Sequence, residues 1–204
     1  MSRSLLAVLL VLLAACSSPD AAAPAATASP TPAPPASGPP RSPLFDQALH
    51  DELLAMAERD QSGRTGGADL EGDDPRTTRL AAILDEHGWP TFDLVGEDGE
   101  DAAWLIAQHS DQDPALQRRA LELLRPVVAA GQASPGNLAY LEDRVAVGAG
   151  RPQLYGTQVG CGPGGPAPAT PIADEAAVDE RRAAAGLEPL ADYLAEMAEI
   201  CAGE

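Results

Sequence analysis

The sequence predicts a mainly α single domain of several helices, with a short β-hairpin-like excursion, preceded by a signal peptide and a disordered linker. Three observations predict it. Helix-start pairs recur at Ser42-Pro43, Asp74-Pro75, Asp113-Pro114 and Ser134-Pro135, each placing a capping oxygen before a proline whose missing N–H costs nothing there. Apolar residues between these points repeat at helical spacing. One stretch, from Arg151 to about Asp174, has Gly, Pro and β-branched residues but no helical period.

The elements follow in order. Phe45, Leu49, Leu53, Leu54 and Met56 give an apolar stripe, predicting a first helix over residues 44–62. A Gly-rich acidic loop, 63–73, precedes a second helix over 75–87 that stops at Gly88. The segment GWPTFDLVG crosses to a third helix over 100–109. A fourth starts at Pro114, and Pro126 is expected to kink or restart it before Gly131. A fifth covers 136–147. The aperiodic stretch follows, with Tyr155 and Thr157 alternating with Gly156 and Gln158 and Gly156 admitting a neighbouring backbone. Two last helices, 175–185 and 191–202, are split by Gly186. No βαβ alternation and no repeat is seen.

The N-terminus carries a different message. Arg3, the apolar run Leu5 to Leu13 and the small-residue site before Cys16 make a secretory signal over residues 1–15, too short for a spanning helix. The Leu13-Ala14-Ala15-Cys16 box is similar to the bacterial lipoprotein signal, which implies diacylglycerol and palmitate-type acylation at Cys16. Acyl chains contribute about 0.8 kcal/mol per buried methylene, enough for two or three to hold a soluble head at a bilayer. Residues 16–43 are lipidated Cys and then Ala, Pro, Ser and Thr, a composition unable to bury a core and therefore a tether. Residues 44–204 remain for the domain. The expected location is the cell membrane, lipid-anchored and facing outside the cytoplasm.

The balance is acidic: 13 basic residues, all arginine, face 31 acidic ones, for a net charge of −18. Nucleic acid is excluded as a partner, since binding it demands a basic patch. Cys161 and Cys201 are an even pair in an oxidising compartment. They are either a disulfide pinning the C-terminal helix, contributing about 3–4 kcal/mol, or two separate buried thiols.

No nucleophile elbow, P-loop, zinc-protease helix or Cys-x-x-Cys pair appears, so no metal and no cofactor is expected. Residues 104–113, WLIAQHSDQD, attract attention instead. Asp111-x-Asp113 begins like a calcium loop but has Leu116 where the loop needs glycine. Asp113 reads as the cap of the next helix. Trp104 and Gln108 share one helical face, and His109 is either a helix-end residue meeting carbonyls or a metal ligand or general base. His50 and His87 are read as an exposed helix face and a helix end. Gln61, Gln108, Gln117, Gln153 and Gln158 are amides that either knit helices together or read ligand hydroxyls. Asp60 with Arg64, and Asp143 with Arg144, add acid–guanidinium pairs. Arg181 and Arg182 are either ion-pair partners of Asp60 and Asp143 across the core or an anion site.

These residues together carry a resemblance. DQxxR (Asp60 to Arg64), GWPT (Gly88 to Thr91), AWLIxQH (Ala103 to His109), LAYLxDRV (Leu138 to Val145), PQxYGTQ (Pro152 to Gln158) and VDxRRxxxGLxPLxxY (Val178 to Tyr193) resemble a bacterial family of domains of unknown function. The resemblance implies a mostly helical fold. It also implies that Trp89, Trp104, Gln108, His109, Tyr155 and Gln158 share one pocket or one core. The candidate pocket is Asp60, Gln61, Arg64, Trp89, Trp104, Gln108, His109, Asp143, Arg144, Gln153, Tyr155, Thr157 and Gln158. The leading expectation is a membrane-anchored binding module for a small polar envelope ligand or an envelope protein. The alternative is an envelope hydrolase with His109 as general base, Asp60 or Asp143 orienting it, and Gln158 or Arg144 stabilising charge.

Overall fold

The computed structural model describes residues 42–69 and 71–202. The expected signal peptide, the expected lipidation at Cys16 and nearly all of the expected tether lie outside the described residues. Local chemistry sets the helix starts. Asp113 caps α4 (Pro114–Ala129), its Oδ1 accepting from the Ala115 and Leu116 amides at 3.1 and 3.0 Å. Ser134 caps α5 (Pro135–Gly148) through the Asn137 amide at 3.2 Å. Both starts are where the Asp-Pro and Ser-Pro pairs place them.

The other two pairs act differently. Ser42-Pro43 builds a turn, with the Phe45 amide on the Ser42 carbonyl, and α1 (Gln47–Arg64) is capped by Asp46 instead. The Asp46 amide bonds the Leu94 carbonyl at 2.8 Å, so a tertiary contact fixes this start. Helix α2 (Asp73–His87) begins at Gly72, whose φ of 75° suits glycine, before Asp74-Pro75 is reached. Asp69 Oδ1 holds the Gly72 amide at 3.1 Å, and Asp73 and Asp74 fall in the first turn, where negative charge favours the helix dipole.

Helix α3 (Phe92–Gln108) begins earlier than its apolar pattern suggests. Thr91 caps it through the Leu94 amide at 3.2 Å, and one turn forms before Gly96 breaks it at φ 78°. Pro126 does not restart α4 as a second element, since one helix runs through it. It lies on the exposed face, where the carbonyl it leaves without an amide can meet water.

After α5 the chain forms β1 (Val159–Gly162) and β2 (Gly165–Pro168), an antiparallel hairpin pairing Val159 with Pro168. The Tyr155–Thr157 alternation is therefore not a strand; it is a loop, tied at Gln153 by a single parallel bridge to Ile172. Gly156 admits side chains, not a backbone: a Cβ there would sit 2.6 Å from Ile172 Cδ1 and 3.0 Å from Leu190 Cδ1. A 3₁₀ turn (Glu175–Ala177) leads into α6 (Val178–Ala184), and α7 (Leu190–Cys201) closes the chain.

The core lies among α1 to α5. Leu53, Leu80, Ile83, Val95, Leu124 and Leu141 are fully buried there, with Ala103, Ala107 and Ala120 letting α3 and α4 approach their neighbours closely. Helix α7 packs on the hairpin, where Cys161 and Cys201 are joined with their Cα atoms 5.4 Å apart. Among the described residues no helix is long and apolar enough to cross a membrane.

Candidate functional site

Asp60, at the end of α1, is almost fully buried, and four groups crowd its carboxylate. Gln61 Nε2 donates at 2.9 Å, Arg64 donates through Nε and Nη2 at 3.1–3.2 Å, and Arg76 Nη2 lies 3.8 Å away. The fourth is His109, whose Nδ1 sits 2.7 Å from Asp60 Oδ2. Burial opposes ionisation of Asp60, but the Arg64 hydrogen bonds and the His109 and Arg64 charges outweigh it, so the carboxyl titrates below its ordinary range.

His109 is the C-cap of α3, its amide on the Leu105 carbonyl. Burial, helped by the charges of Arg64 and Arg144, pulls its pKa below 6.5 against the opposing pull of Asp60. The imidazole is then neutral at pH 7. An ionised Asp60 can only accept, so the proton belongs on Nδ1 and the lone pair on Nε2. Nε2 has no hydrogen-bond partner among the described residues, and the side chain is 20% exposed.

One residue back, Gln108 donates from Nε2 to Gln158 Oε1 at 3.3 Å, and Arg144 Nη1 donates to the same oxygen at 3.0 Å. Arg144 is held in turn by Asp111. Gln158 Nε2 donates to the Tyr140 carbonyl and to Thr157 Oγ1 at 3.4 and 3.2 Å. These partners fix both amides one way round. Gln108 Oε1 is left buried with nothing donating to it, and the buried Trp104 Nε1, one turn earlier, has nothing to donate to. Trp104 packs edge-on against Tyr140, ring centroids 5.8 Å apart. Buried polar atoms are rarely unpaired, and such exceptions call for a partner.

With this geometry in hand, the chain can be set beside known proteins. The model of a family of unknown function, DUF6624, matches residues 47–202. The chain belongs to the DUF6624 family. No curated protein and no solved structure matches it.

The DUF6624 domain divides the candidate residues in two. Asp60, Gln61, Arg64, Trp104, Gln108, His109, Arg144 and Gln158 lie around the end of α3. Asp143 does not join them, and it does not orient His109. Buried in α5, it accepts from the Leu154, Tyr155 and Thr157 amides and from Thr157 Oγ1, at 2.7–3.2 Å, and so shapes the loop after α5. Gln153 serves the same loop, bonding Gln158 N and O and the Thr170 carbonyl. Trp89 is core, its Nε1 on Glu100 at 2.9 Å.

Arg181 and Arg182 pair with neither Asp60 nor Asp143. Arg181 donates to the Leu154, Ala173 and Asp174 carbonyls, and Arg182 to those of Tyr155 and Glu188, because the glycine-bearing loop brings unpaired carbonyls to them first. His50 is buried rather than exposed, between Asp51 and Asp98 at 2.9 and 3.2 Å. Sequence reasoning missed Arg76 and Asp111 as partners at this site. The only signal for Asp111 is its place beside His109, and for Arg76 its place after the helix start. Among the described residues no group of three or more His, Cys, Asp or Glu is placed to hold a metal ion.

Proposed function

We propose that this protein is a lipid-anchored extracytoplasmic hydrolase whose DUF6624 domain uses His109 as general base. One observation carries the reading: an imidazole gripped at Nδ1 by a buried carboxylate, with Nε2 unpartnered among the described residues and the side chain partly exposed. In this arrangement Nε2 takes a proton from a water molecule as the water oxygen bonds to the reacting centre. Asp60 stabilises the imidazolium, which then returns the proton to the leaving group as its bond breaks. Arg64 and Arg144, paired with Asp60 and Asp111, still act on His109 as positive charges, and on this reading they favour a centre that becomes negative, an acyl or phosphoryl ester over a glycoside. Ser110 is not a nucleophile, since its Oγ is buried between Thr77 Oγ1 and the Ile106 carbonyl. The Cys161–Cys201 bridge supports an oxidising compartment.

The test is turnover of chromogenic acyl and phosphoryl esters by the full chain and by His109→Gln. The expected loss in the variant is at least about 100-fold, with an unchanged melting profile. In wild type, activity rises with pH on an acid limb whose midpoint lies below 6.5, because only the neutral imidazole is a base. Equal rates in the two proteins, or none above buffer in wild type, would sink the reading.

A second reading, the binding module, is favoured by the unpartnered pair Gln108 Oε1 and Trp104 Nε1. An acceptor and a donor one turn apart match a hydroxyl, which both donates and accepts. Binding of a neutral polyol or oligosaccharide, unaffected by His109→Gln and abolished by Gln108→Leu, would select it.

A further inference from the structure

We infer that the cleft between the start of α4 and the end of α5 binds the phosphate or carboxylate group of a small organic anion through Arg118 and Arg151. The inference begins with charge. With 31 acidic residues to 13 arginines, a guanidinium in this chain finds a carboxylate easily. Among the described residues every other arginine does find an acceptor. Arg59, Arg64, Arg76, Arg79, Arg119, Arg125 and Arg144 meet carboxylates, and Arg181 and Arg182 meet backbone carbonyls. Arg118 and Arg151 have no side-chain acceptor among the described residues, and both line the same cleft.

That cleft has a volume of about 390 Å³, the size of a small-molecule site. Arg118 comes from the second turn of α4 and Arg151 from just beyond the end of α5, so two different elements deliver the charges to one place. Arg144 adds a third guanidinium, and its pairing with Asp111 neutralises the one carboxylate on the wall. Val145 and Val147 make part of the remaining lining apolar. The occupant that fits is an anion with a short apolar body, its oxygens taken by planar guanidinium forks. A basic cleft in a strongly acidic protein also discriminates: polyanions are repelled by the surface at large, while one small anion is accepted locally.

This site shares Arg144 with the proposed His109 site, but Arg118 and Arg151 belong to the cleft alone, so its test is separable from the role of His109. The probe is phenyl phosphate, titrated calorimetrically into the full chain at low ionic strength, with benzyl alcohol as the neutral control. Phenyl phosphate binds wild type and His109→Gln alike. Arg118→Ala with Arg151→Ala weakens it at least tenfold without lowering the melting temperature, since both side chains are exposed. Benzyl alcohol does not bind. Sedimentation of Cys16→Ser protein with phosphatidylglycerol vesicles, against phosphatidylcholine vesicles, separates two sources of the anion. Co-sedimentation lost in the double arginine variant assigns a lipid headgroup; its absence beside retained phenyl phosphate binding assigns a free metabolite. Phenyl phosphate binding that is absent, or unchanged in the double variant, overturns the inference.

Discussion

Glu100 is a buried carboxylate with no counter-charge. Its oxygens accept from Trp89 Nε1, Asn137 Nδ2 and the Ser134 amide at 2.9, 3.0 and 3.4 Å, yet burial pushes its pKa up to about 7, with Asp101 adding repulsion. The folded state thus holds a proton that the unfolded state releases near 4.5. Stability from this group is full below that value and is lost as pH rises to about 7, a span worth about 3 kcal/mol. Urea unfolding at pH 5, 6, 7 and 8 checks this. Wild type should lose about that much more across the window than Glu100→Gln, whose side chain does not titrate; parallel curves would refute it. Glu100 sits in an acidic run, EDGED, that reads as surface. Only contacts with residues 11 and 37 positions away mark it as core. His109 and Asp60 stood out in the sequence as a titratable ring at a helix end and an acid one turn from a guanidinium. Asp143 was not separable from them in the sequence, because nothing there tells a carboxylate facing backbone amides from one facing an imidazole.

At the scale of elements, the start of α1 moved because a long-range contact overrules local chemistry, the Leu94 carbonyl taking the Asp46 amide, and the start of α2 moved because Asp69, three residues back, holds the Gly72 amide. The starts at Asp113 and Ser134 needed nothing beyond their own side chains. The existence of each helix was legible from apolar spacing; the break at Gly96 was not, since a single turn carries too few residues to show a period. Helix α7 is a special case. Leu190 is its sole buried residue, and Ile200 is half exposed. Tyr193 anchors it by donating from its hydroxyl to the Thr157 carbonyl at 2.9 Å and by lying 5.0 Å from the Arg182 guanidinium. The Cys161–Cys201 bridge holds the far end, closing a loop of 40 residues worth about 4 kcal/mol of chain entropy. Reduction, or Cys201→Ser, should lower stability by about that amount. It should also speed amide exchange in α7 while leaving α1 to α5 protected. Unchanged exchange in α7 would mean that packing on the hairpin suffices without the bridge.

For the whole molecule, the proposed membrane anchor faces an electrostatic question. The −18 charge repels an anionic bilayer, and among the described residues there is no spanning helix to overcome that repulsion. Acyl chains at Cys16, as proposed, would meet it: each methylene contributes about 0.8 kcal/mol, so even one long chain gives marginal attachment and two or three give a stable one. The Ala/Pro/Ser/Thr stretch that follows can then hold the head off the surface, where its own charge also keeps it. Cys16→Ser tests this directly. Expressed in a bacterium that processes lipoproteins, wild type should partition into the detergent phase on Triton X-114 separation, and the variant into the aqueous phase. The DUF6624 domain should melt identically in both, because Cys16 lies far in sequence from the first helix. Wild type in the aqueous phase would overturn the anchoring proposal and leave the His109 site to be judged on its own chemistry.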